Sequence, residues 1–274
     1  MEYCKTNDGE RLTTLLKGEL NVWLLVFITG LLIGSFINVC VHRLPKDESI
    51  VFPASHCPSC KMKLRPIDLV PVFSWLFLKG KCRFCNKSIS SRYPLVELLT
   101  GFLVTLVYME TGLSIHFIFY SIITFLLIVI VFIDLDHQII PDGVNLIIAL
   151  LGTLYSIYIF YETRSPVLLN SLGGILLGGG FFLLIAILSK GGMGGGDIKL
   201  MAALGIWFGW QGILMVTFLS FLIGGIYAIG LILIRNKGRK DMVPFGPFIS
   251  LAAFLTFLYE PYLLLWYLDK FTNI

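Results

Sequence analysis

Two segments of the chain place carboxylate side chains at the ends of long apolar runs. Asp134 closes one run, and Asp197 follows the glycines Gly194, Gly195 and Gly196 just before another. Ionisable groups at membrane depth are costly and usually functional. Two carboxyl groups within about 3 Å of each other cannot both ionise, so one keeps a proton while the other activates a water, and such a pair can hydrolyse a peptide bond. The glycines, which carry no side chain, let backbone or substrate come close to Asp197.

Structural roles are open for several of these residues. Asp197 and Asp142 each precede an apolar run and would also serve as helix N-caps, and we interpret Asp142 in this way. Lys199 either reaches to the membrane interface or supports Asp197. Asp134 ends an apolar run, where the helix dipole disfavours a carboxylate, so a structural role explains it least well. Asp136 lies about 200° from Asp134 on a helix and should not share its face.

Four of the six cysteines form two C-x-x-C pairs in one polar segment. The pairs are Cys57 with Cys60 and Cys82 with Cys85. Together they can supply the four thiolates of a tetrahedral zinc site, and because no position is left open the zinc would be structural. A redox dithiol or a disulfide is the alternative, which a reducing compartment disfavours. We interpret His56 as a neighbour of the site, and Cys4 and Cys40 as bystanders.

The composition predicts an all-α polytopic membrane protein. The chain is 57% hydrophobic and 14% charged, against roughly 25% charged residues in soluble domains, and no basic stripe for nucleic acid is present. A spanning helix needs about 20 mainly apolar residues. Eight candidate runs occur, at about Asn21–Leu44, Pro94–Tyr108, His116–Ile133, Val144–Tyr161, Val167–Ser189, Asp197–Ile213, Leu214–Ile234 and Pro244–Leu268.

Charge asymmetry orients these helices. The loop 45–93 carries nine Lys and Arg against three Asp and Glu, and cytoplasmic loops are enriched in Lys and Arg. The sixth run is the weakest, because its apolar part, Leu200–Gly209, is short. The basic stretch Arg235–Lys240 is cytoplasmic only if that run crosses the membrane. We therefore expect eight crossings, both termini outside, and the acidic turns together with the zinc loop on the cytoplasmic side.

Three segments follow from this organisation. Residues 1–20 are polar, do not resemble a cleavable signal peptide, and form an extracytoplasmic tail. Residues 21–93 comprise the first transmembrane helix and the zinc loop between helices 1 and 2. Residues 94–274 form a seven-helix domain that contains both acidic turns.

Sequence motifs occur in a fixed order along nearly the whole chain. They are Gly34–Val39 with His42–Pro45, the two C-x-x-C pairs, Arg92–Glu97, Asp134 in I-D-x-D-x-x-x-I-P-D, Asp197 in G-x-G-D-x-K, and Pro244–Phe248. Each motif alone is weakly specific. In combination they resemble the type IV prepilin peptidases, a family of bifunctional leader peptidases and N-methyltransferases.

The resemblance implies a function and assigns site residues. A membrane-embedded aspartyl endopeptidase of the bacterial cytoplasmic membrane would cleave the basic leader of a prepilin or pseudopilin after Gly, on the cytoplasmic side. Asp134 and Asp197 would be the catalytic pair, with Gly194, Gly196 and Lys199 in support. The new N-terminal residue would then be methylated from S-adenosylmethionine.

The methyl-donor site is assigned only loosely, to the N-terminal part of the chain. We expect Gly34, Asn38 and Arg43 to belong to this methyl-transfer region. Gly34 permits close helix packing, and Asn38 is a polar group in an apolar run that needs a partner. The alternative is that these residues merely fix helix packing. The sequence does not specify whether the protein serves a pilus, a secretion system or a competence system. It does not specify the oligomeric state either.

Two other functions are compatible with part of the pattern. A proton- or cation-coupled transporter can use an intramembrane Asp pair beside a glycine-broken helix, although no inverted repeat is evident. A membrane scaffold can use a zinc loop to dock a partner, but this leaves Asp134 unexplained.

Overall fold

In a computed structural model the protein is helical, with residues 7–235 and 243–272 described. Within this part of the chain no β-strand forms, and two isolated bridges, His56 with Lys63 and Lys81 with Ser88, lie in the polar loop. The α-helices are α1 Asn7–Arg43, α2 Phe73–Phe77, α3 Arg92–Thr111, α4 Ile115–His137, α5 Asp142–Thr163, α6 Val167–Leu188, α7 Gly195–Arg235 and α8 Gly246–Thr272.

The first helix is longer than the apolar run that predicts it. α1 begins at Asn7. The segment that is apolar enough to cross a membrane is Asn21–Lys46, which includes the short 3₁₀ turn Leu44–Lys46 after α1. Helical hydrogen bonds are internal to the segment, so polar residues can continue a helix beyond the membrane. The predicted tail 1–20 is therefore helical from Asn7, and Cys4 lies outside the described residues.

Six helices in the described ranges are long and apolar enough to cross a membrane. They are α1, α3, α4, α5, α6 and α7. α7 has 41 residues and breaks at Gly209, whose φ of 63° and ψ of −170° are not helical. At 1.5 Å per residue an unbroken α7 would be about 60 Å long, twice the thickness of the hydrocarbon core.

The expected sixth and seventh runs thus correspond to the two halves of α7, joined without a loop. The eighth run corresponds to α8, which includes the apolar stretch Gly246–Tyr259. Of the basic stretch that supports eight crossings, residues 236–240 lie outside the described part of the chain. The number of crossings and the positions of the termini stay predictions.

Contacts divide the chain into two units. The first consists of residues up to Cys40 together with Ser49–Ser121, and the second of Val41–Glu48 together with residues from Ile122 onward. In the first unit α1 packs tightly on α3, because a Cβ on Gly30 would lie only 2.7 Å from the Cα of Gly101. Small residues allow such close approach of helices within a membrane.

The second unit is built around α5, α6 and α7. Trp207 Nε1 donates to the carbonyl oxygen of Ile148 at 2.9 Å, and its ring stacks on Tyr155. Ser156 and Ser171 both donate to the carbonyl oxygen of Ile206. These side-chain hydrogen bonds join the end of the first half of α7 to α5 and α6, as polar side chains do between helices in a membrane.

Candidate active site

The last turn of α4 holds one of the two predicted catalytic acids. Asp134 is buried, with 5% of its surface exposed, whereas Leu135, Asp136 and His137 are exposed. The helix therefore turns Asp134 inward and Asp136 outward. This agrees with the angle between the two positions on a helix.

A backbone group at the start of α8 positions the Asp134 carboxyl. The N–H of Gly246 donates to Asp134 Oδ2 at 2.9 Å, and a Cβ added to Gly246 would lie 2.8 Å from the same oxygen. Only glycine leaves room for this arrangement. The sequence motif Pro244–Phe248 contains Gly246 but assigns it no role. The feature that could have indicated one is a glycine between an aromatic residue and a proline at the start of a helix.

The second acid lies in the first turn of α7. Asp197 is partly buried, and its carboxyl accepts a hydrogen bond from the backbone N–H of Gly194. Since α7 begins at Gly195, Gly194 is the N-cap and Asp197 the third helical residue, which reaches back to the N-cap N–H. Asp197 is thus not the N-cap itself, although it stabilises the start of the helix, where a negative charge is favoured.

The start of α7 packs against the turn between α4 and α5. Asn145 Nδ2 donates to the carbonyl oxygen of Gly196 at 3.4 Å, and a Cβ on Gly196 would lie 2.9 Å from the Cβ of Ile140. This packing brings both acids to the same end of the second unit. Asp134 and Asp197 lie close enough for their charges to interact directly.

Lys199 pairs with Asp142. Its Nζ lies 2.7 and 2.8 Å from the two carboxylate oxygens of Asp142, and both side chains are more than half exposed. The interpretation of Asp142 as an N-cap is wrong, because the N-cap of α5 is Pro141 and no side chain caps that helix. The pair ties the start of α5 to the first half of α7.

The four loop cysteines form one cluster. Their Sγ atoms all lie within 4.8 Å of one another, and Cys57 Sγ is 3.9 Å from Cys85 Sγ. A tetrahedral zinc site with Zn–S bonds near 2.3 Å has sulfur–sulfur distances of about 3.8 Å. The cluster therefore fits a four-thiolate metal site, and all four thiols are free of disulfides. His56 bonds instead to the carbonyl oxygen of Ala54.

The two C-x-x-C pairs share one backbone pattern. Cys57 N–H donates to the carbonyl oxygen of Met62, and Cys82 N–H donates in the same way to that of Lys87. Each C-x-x-C pair with the turn that follows it is called a knuckle here. In each knuckle the residue after the second cysteine has a positive φ, 58° at Lys61 and 57° at Asn86. The backbone N–H of Cys60 lowers the pKa of the Cys57 thiol to about 6. Despite the N–H of Met62, burial and hydrogen bonds with the other cysteines raise the pKa of Cys60 to about 11, so Cys57 is the cysteine of this pair that most readily forms the thiolate a metal requires.

An ion pair joins the second knuckle to the preceding 3₁₀ turn, Pro66–Leu69. Arg83 donates to Asp68 Oδ1 at 2.7 Å, and the Asp68 side chain is 2% exposed. Burial alone would raise the pKa of Asp68, but the hydrogen bond and charge of Arg83 and the N–H of Arg65 hold it below its usual value. Asp68 therefore stays ionised at neutral pH.

The three residues of the expected methyl-transfer region divide between the units. In the first unit Asn38 Nδ2 donates to the carbonyl oxygen of Tyr93 at 3.1 Å, and a Cβ on Gly34 would lie 2.7 Å from the Cα of Glu97. Arg43 is buried and belongs to the second unit. The polar partner expected for Asn38 is thus a backbone carbonyl at the start of α3.

Glu97 is a buried carboxylate to which sequence reasoning gave no role. It is 7% exposed, and its Oε2 accepts a hydrogen bond from the N–H of Val72 at 2.7 Å. Ser35 of α1 also bonds to it. The signal available beforehand was a charged residue in an apolar helix.

The chain is similar to known proteins in two adjoining regions. Family models match at residues 28–111, described as the bacterial peptidase A24 N-terminal domain, and at residues 121–229, described as the type IV leader peptidase family. No solved structure matches the chain significantly.

Curated relatives named prepilin leader peptidase/N-methyltransferase align over most of their length. One from Aeromonas salmonicida is 37% identical, covering 89% of this chain and 93% of the relative. One from Pseudomonas aeruginosa is 34% identical, covering 86% of this chain and 90% of the relative. One from Bacillus subtilis is 33% identical, covering 89% of this chain and 97% of the relative. With similarity of this extent, the chain belongs to the type IV leader peptidase family.

Proposed function

We propose that this protein is a membrane-embedded aspartyl endopeptidase that removes the basic leader of type IV prepilins or pseudopilins, after Gly, and N-methylates the new N-terminal residue. The observation that carries the peptidase assignment is the approach of Asp134 and Asp197 at one end of the second unit. Family membership and the names of the relatives support the substrate class.

Asp134 and Asp197 supply the proposed chemistry. In an aspartyl pair one carboxyl holds a proton while the other takes a proton from water, so that hydroxide forms as it attacks the scissile carbonyl. The protonated carboxyl gives its proton to the carbonyl oxygen, and the other carboxyl passes the proton it took from water to the leaving amine. As the C–N bond breaks, the hydroxyl formed from the carbonyl oxygen returns its proton to the first carboxyl, which restores the starting state. No covalent intermediate with the protein is needed, which suits a site whose groups are two carboxyls and backbone donors.

Zinc and S-adenosylmethionine are the proposed cofactors. The distances in the Cys57, Cys60, Cys82 and Cys85 cluster support zinc in a closed, structural site. When bound, the metal would cross-link the two knuckles without an open position for catalysis. S-adenosylmethionine as the methyl donor is supported by the names of the relatives, and the methyl-transfer region is proposed to include Gly34, Asn38 and Arg43.

The protein is proposed to reside in the bacterial cytoplasmic membrane with its active site at the cytoplasmic face. Support comes from the six candidate spans and from the excess of Lys and Arg in the loop 45–93. A prepilin keeps its basic leader on that same side, so the scissile bond and the acids would meet there.

Cleavage of a synthetic prepilin tests this function. Purified protein in detergent, with and without S-adenosylmethionine, is expected to release the leader, and the methyl group to appear only with the donor. Asp134→Asn and Asp197→Asn should each lower the cleavage rate by about 10²–10⁴-fold, the usual contribution of general acid–base catalysis.

Asp136→Asn is the matched control for the cleavage assay, since this exposed residue lies two positions from Asp134 on another face. It should retain near-normal cleavage. Folding of all variants is checked by size-exclusion chromatography. Near-normal cleavage by either catalytic variant would refute the assignment, and a purified protein that never cleaves prepilin would favour a transporter role for the acid pair.

A further inference from the structure

A cluster of exposed apolar side chains lies on the zinc loop. The short helix α2 carries Phe73, Leu76 and Phe77, which are 55%, 57% and 84% exposed. Positions i, i+3 and i+4 share one side of a helix, so these three residues form a single apolar face, named here the α2 face. Exposed apolar surface concentrated in this way marks an interaction site.

The opposite side of α2 is fixed to the loop. Trp75 Nε1 donates to the carbonyl oxygen of Ile89 at 3.0 Å. The Trp75 ring also covers Gly80, where an added Cβ would lie 2.9 Å from the ring. Because Trp75 anchors one side of the helix inside the loop, the α2 face is directed outward.

A strained turn before α2 is bonded to α3. Val72 has a φ of 62° and Phe73 N–H donates to the carbonyl oxygen of Pro71 at 2.6 Å, which defines a γ-turn of the rare positive-φ type. Such strain persists only where the surroundings impose it. Here the imposing contact is the hydrogen bond from Val72 N–H to Glu97 Oε2 at 2.7 Å.

This hydrogen bond holds the start of α2 at the level of Glu97 on α3. Glu97 lies five residues after the start of α3, about 7–8 Å along the helix axis. Exposed apolar side chains already surround that level of α3, at Leu95 and Leu98. With the membrane boundary at the start of α3, a segment held at this level would lie where the apolar faces of interfacial helices enter a bilayer, about 5–10 Å into the boundary of head groups and acyl chains.

The charges after α2 complement an anionic membrane surface. Lys79 and Lys81 follow the helix and are exposed. Basic residues beside an apolar face attract anionic lipid head groups while the apolar side chains enter the bilayer. We propose that α2 is a monotopic membrane anchor whose α2 face inserts into the anionic leaflet beside α3, with Glu97 as the residue that positions it.

Photo-crosslinking of the full protein in lipid vesicles tests this anchor. The photoreactive residue p-benzoylphenylalanine replaces Phe77, or in the control Asn86, an exposed residue in the turn of the second knuckle. The vesicles contain phosphatidylethanolamine and phosphatidylglycerol. Mass spectrometry after irradiation should find several-fold more lipid adducts at position 77 than at position 86.

Two results would overturn the proposal. Equal lipid adducts at both positions would mean that the α2 face has no special contact with lipid. Adducts to an added synthetic prepilin in place of lipid would assign the face to substrate docking. Because Phe77 is 84% exposed, its replacement leaves the packing of the loop intact, and either result can be interpreted.

The hydrogen bond from Val72 N–H to Glu97 is tested separately, with Glu97 variants that carry the same photoreactive residue at position 77. Glu97→Ala removes the acceptor for Val72 N–H and should lower the lipid adducts several-fold. Glu97→Gln keeps an amide oxygen as acceptor and should restore most of the yield. An adduct yield that does not change in Glu97→Ala would show that Glu97 does not position α2.

Discussion

Asp134 and Asp197 each accept a hydrogen bond from a backbone N–H, of Gly246 and of Gly194 respectively. A nearby cationic side chain would favour the ionised form of both carboxyls, whereas a backbone donor adds no net charge. Lys199, two residues after Asp197, is held by Asp142. Backbone donors therefore orient the two acids, and the proposed mechanism has the pair share one proton.

Gly246→Ala should impair cleavage without disrupting the fold. The new Cβ would lie 2.8 Å from Asp134 Oδ2 and would displace the carboxyl, and a displacement of about 1 Å at a catalytic group can cost about 10²-fold in rate. The measurement is the rate of leader removal from synthetic prepilin in detergent.

Gly180→Ala is the control for that substitution, because nothing lies within 4 Å of a Cβ built there. It should cleave at the normal rate. If Gly246→Ala also cleaves normally, Gly246 does not position Asp134.

At the scale of elements, the zinc loop is two similar knuckles joined by side-chain contacts. In each knuckle the backbone N–H of the first cysteine donates to a carbonyl oxygen just after the second cysteine, that of Met62 or Lys87. A loop with so little regular structure buries few apolar side chains, so a metal bound by four thiolates would supply much of its folding free energy. The Asp68–Arg83 pair then joins the second knuckle to the rest of the loop.

Removal of two ligands should abolish metal binding. Purified protein is expected to contain about one zinc per chain, measured by elemental mass spectrometry, and Cys57→Ser/Cys60→Ser should lose it together with loop stability. Cys40→Ala, which changes a cysteine in α1 outside the cluster, should keep its zinc. Native protein without zinc would remove the metal assignment.

Arg83→Ala should destabilise the zinc loop, because it leaves the buried carboxylate of Asp68 without its charged partner. An unsatisfied buried acceptor costs about 1–3 kcal/mol. The measurement is the denaturant dependence of zinc release, with the exposed Lys87→Ala as control.

The effect of Arg83→Ala should not change between pH 5 and pH 8. The pKa of Asp68 is lowered in the folded protein from about 3.9 in the unfolded chain. The stabilisation by the pair is therefore complete above about pH 4 and is lost only as the pH falls through the folded-state pKa. An effect of Arg83→Ala that disappears between pH 5 and pH 8 would contradict this.

At the scale of the whole molecule, the two reactions are expected to depend on different parts of the chain. Both acids and Arg43 belong to the second unit, whereas Gly34, Asn38 and the four loop cysteines belong to the first. Peptide hydrolysis needs a water and two carboxyls, whereas methyl transfer needs a donor site and a free amine. The division of the chain into contact units is compatible with this separation.

Variants of the expected methyl-transfer region test the separation. Gly34→Ala, Asn38→Ala and Arg43→Ala should reduce methylation more than cleavage. Mass spectrometry of the processed pilin measures both reactions in one sample. If the two fall in strict parallel across all three variants, the first helix supports the fold as a whole and contains no separate methyl-transfer site.

The sequence by itself determined the features that local patterns encode. The apolar runs predicted the helices, because a membrane-spanning helix must satisfy its own backbone and needs a continuous apolar surface. The cysteine spacing predicted the four-thiolate cluster, and the position of Asp134 at the end of an apolar run identified a carboxyl that capping could not explain. The helical angle between Asp134 and Asp136 also separated the buried acid from the exposed one.

Only the tertiary structure decided which distant groups hold these residues. The hydrogen bond from Gly246 to Asp134 spans 112 positions, the bond from Lys199 to Asp142 spans 57, and the bond from Val72 to Glu97 spans 25. Helical periodicity specifies which residues share a face, but it does not specify which face of another helix they meet. That choice depends on the packing of α4, α5, α7 and α8, which places a backbone N–H beside a carboxyl at only a few points.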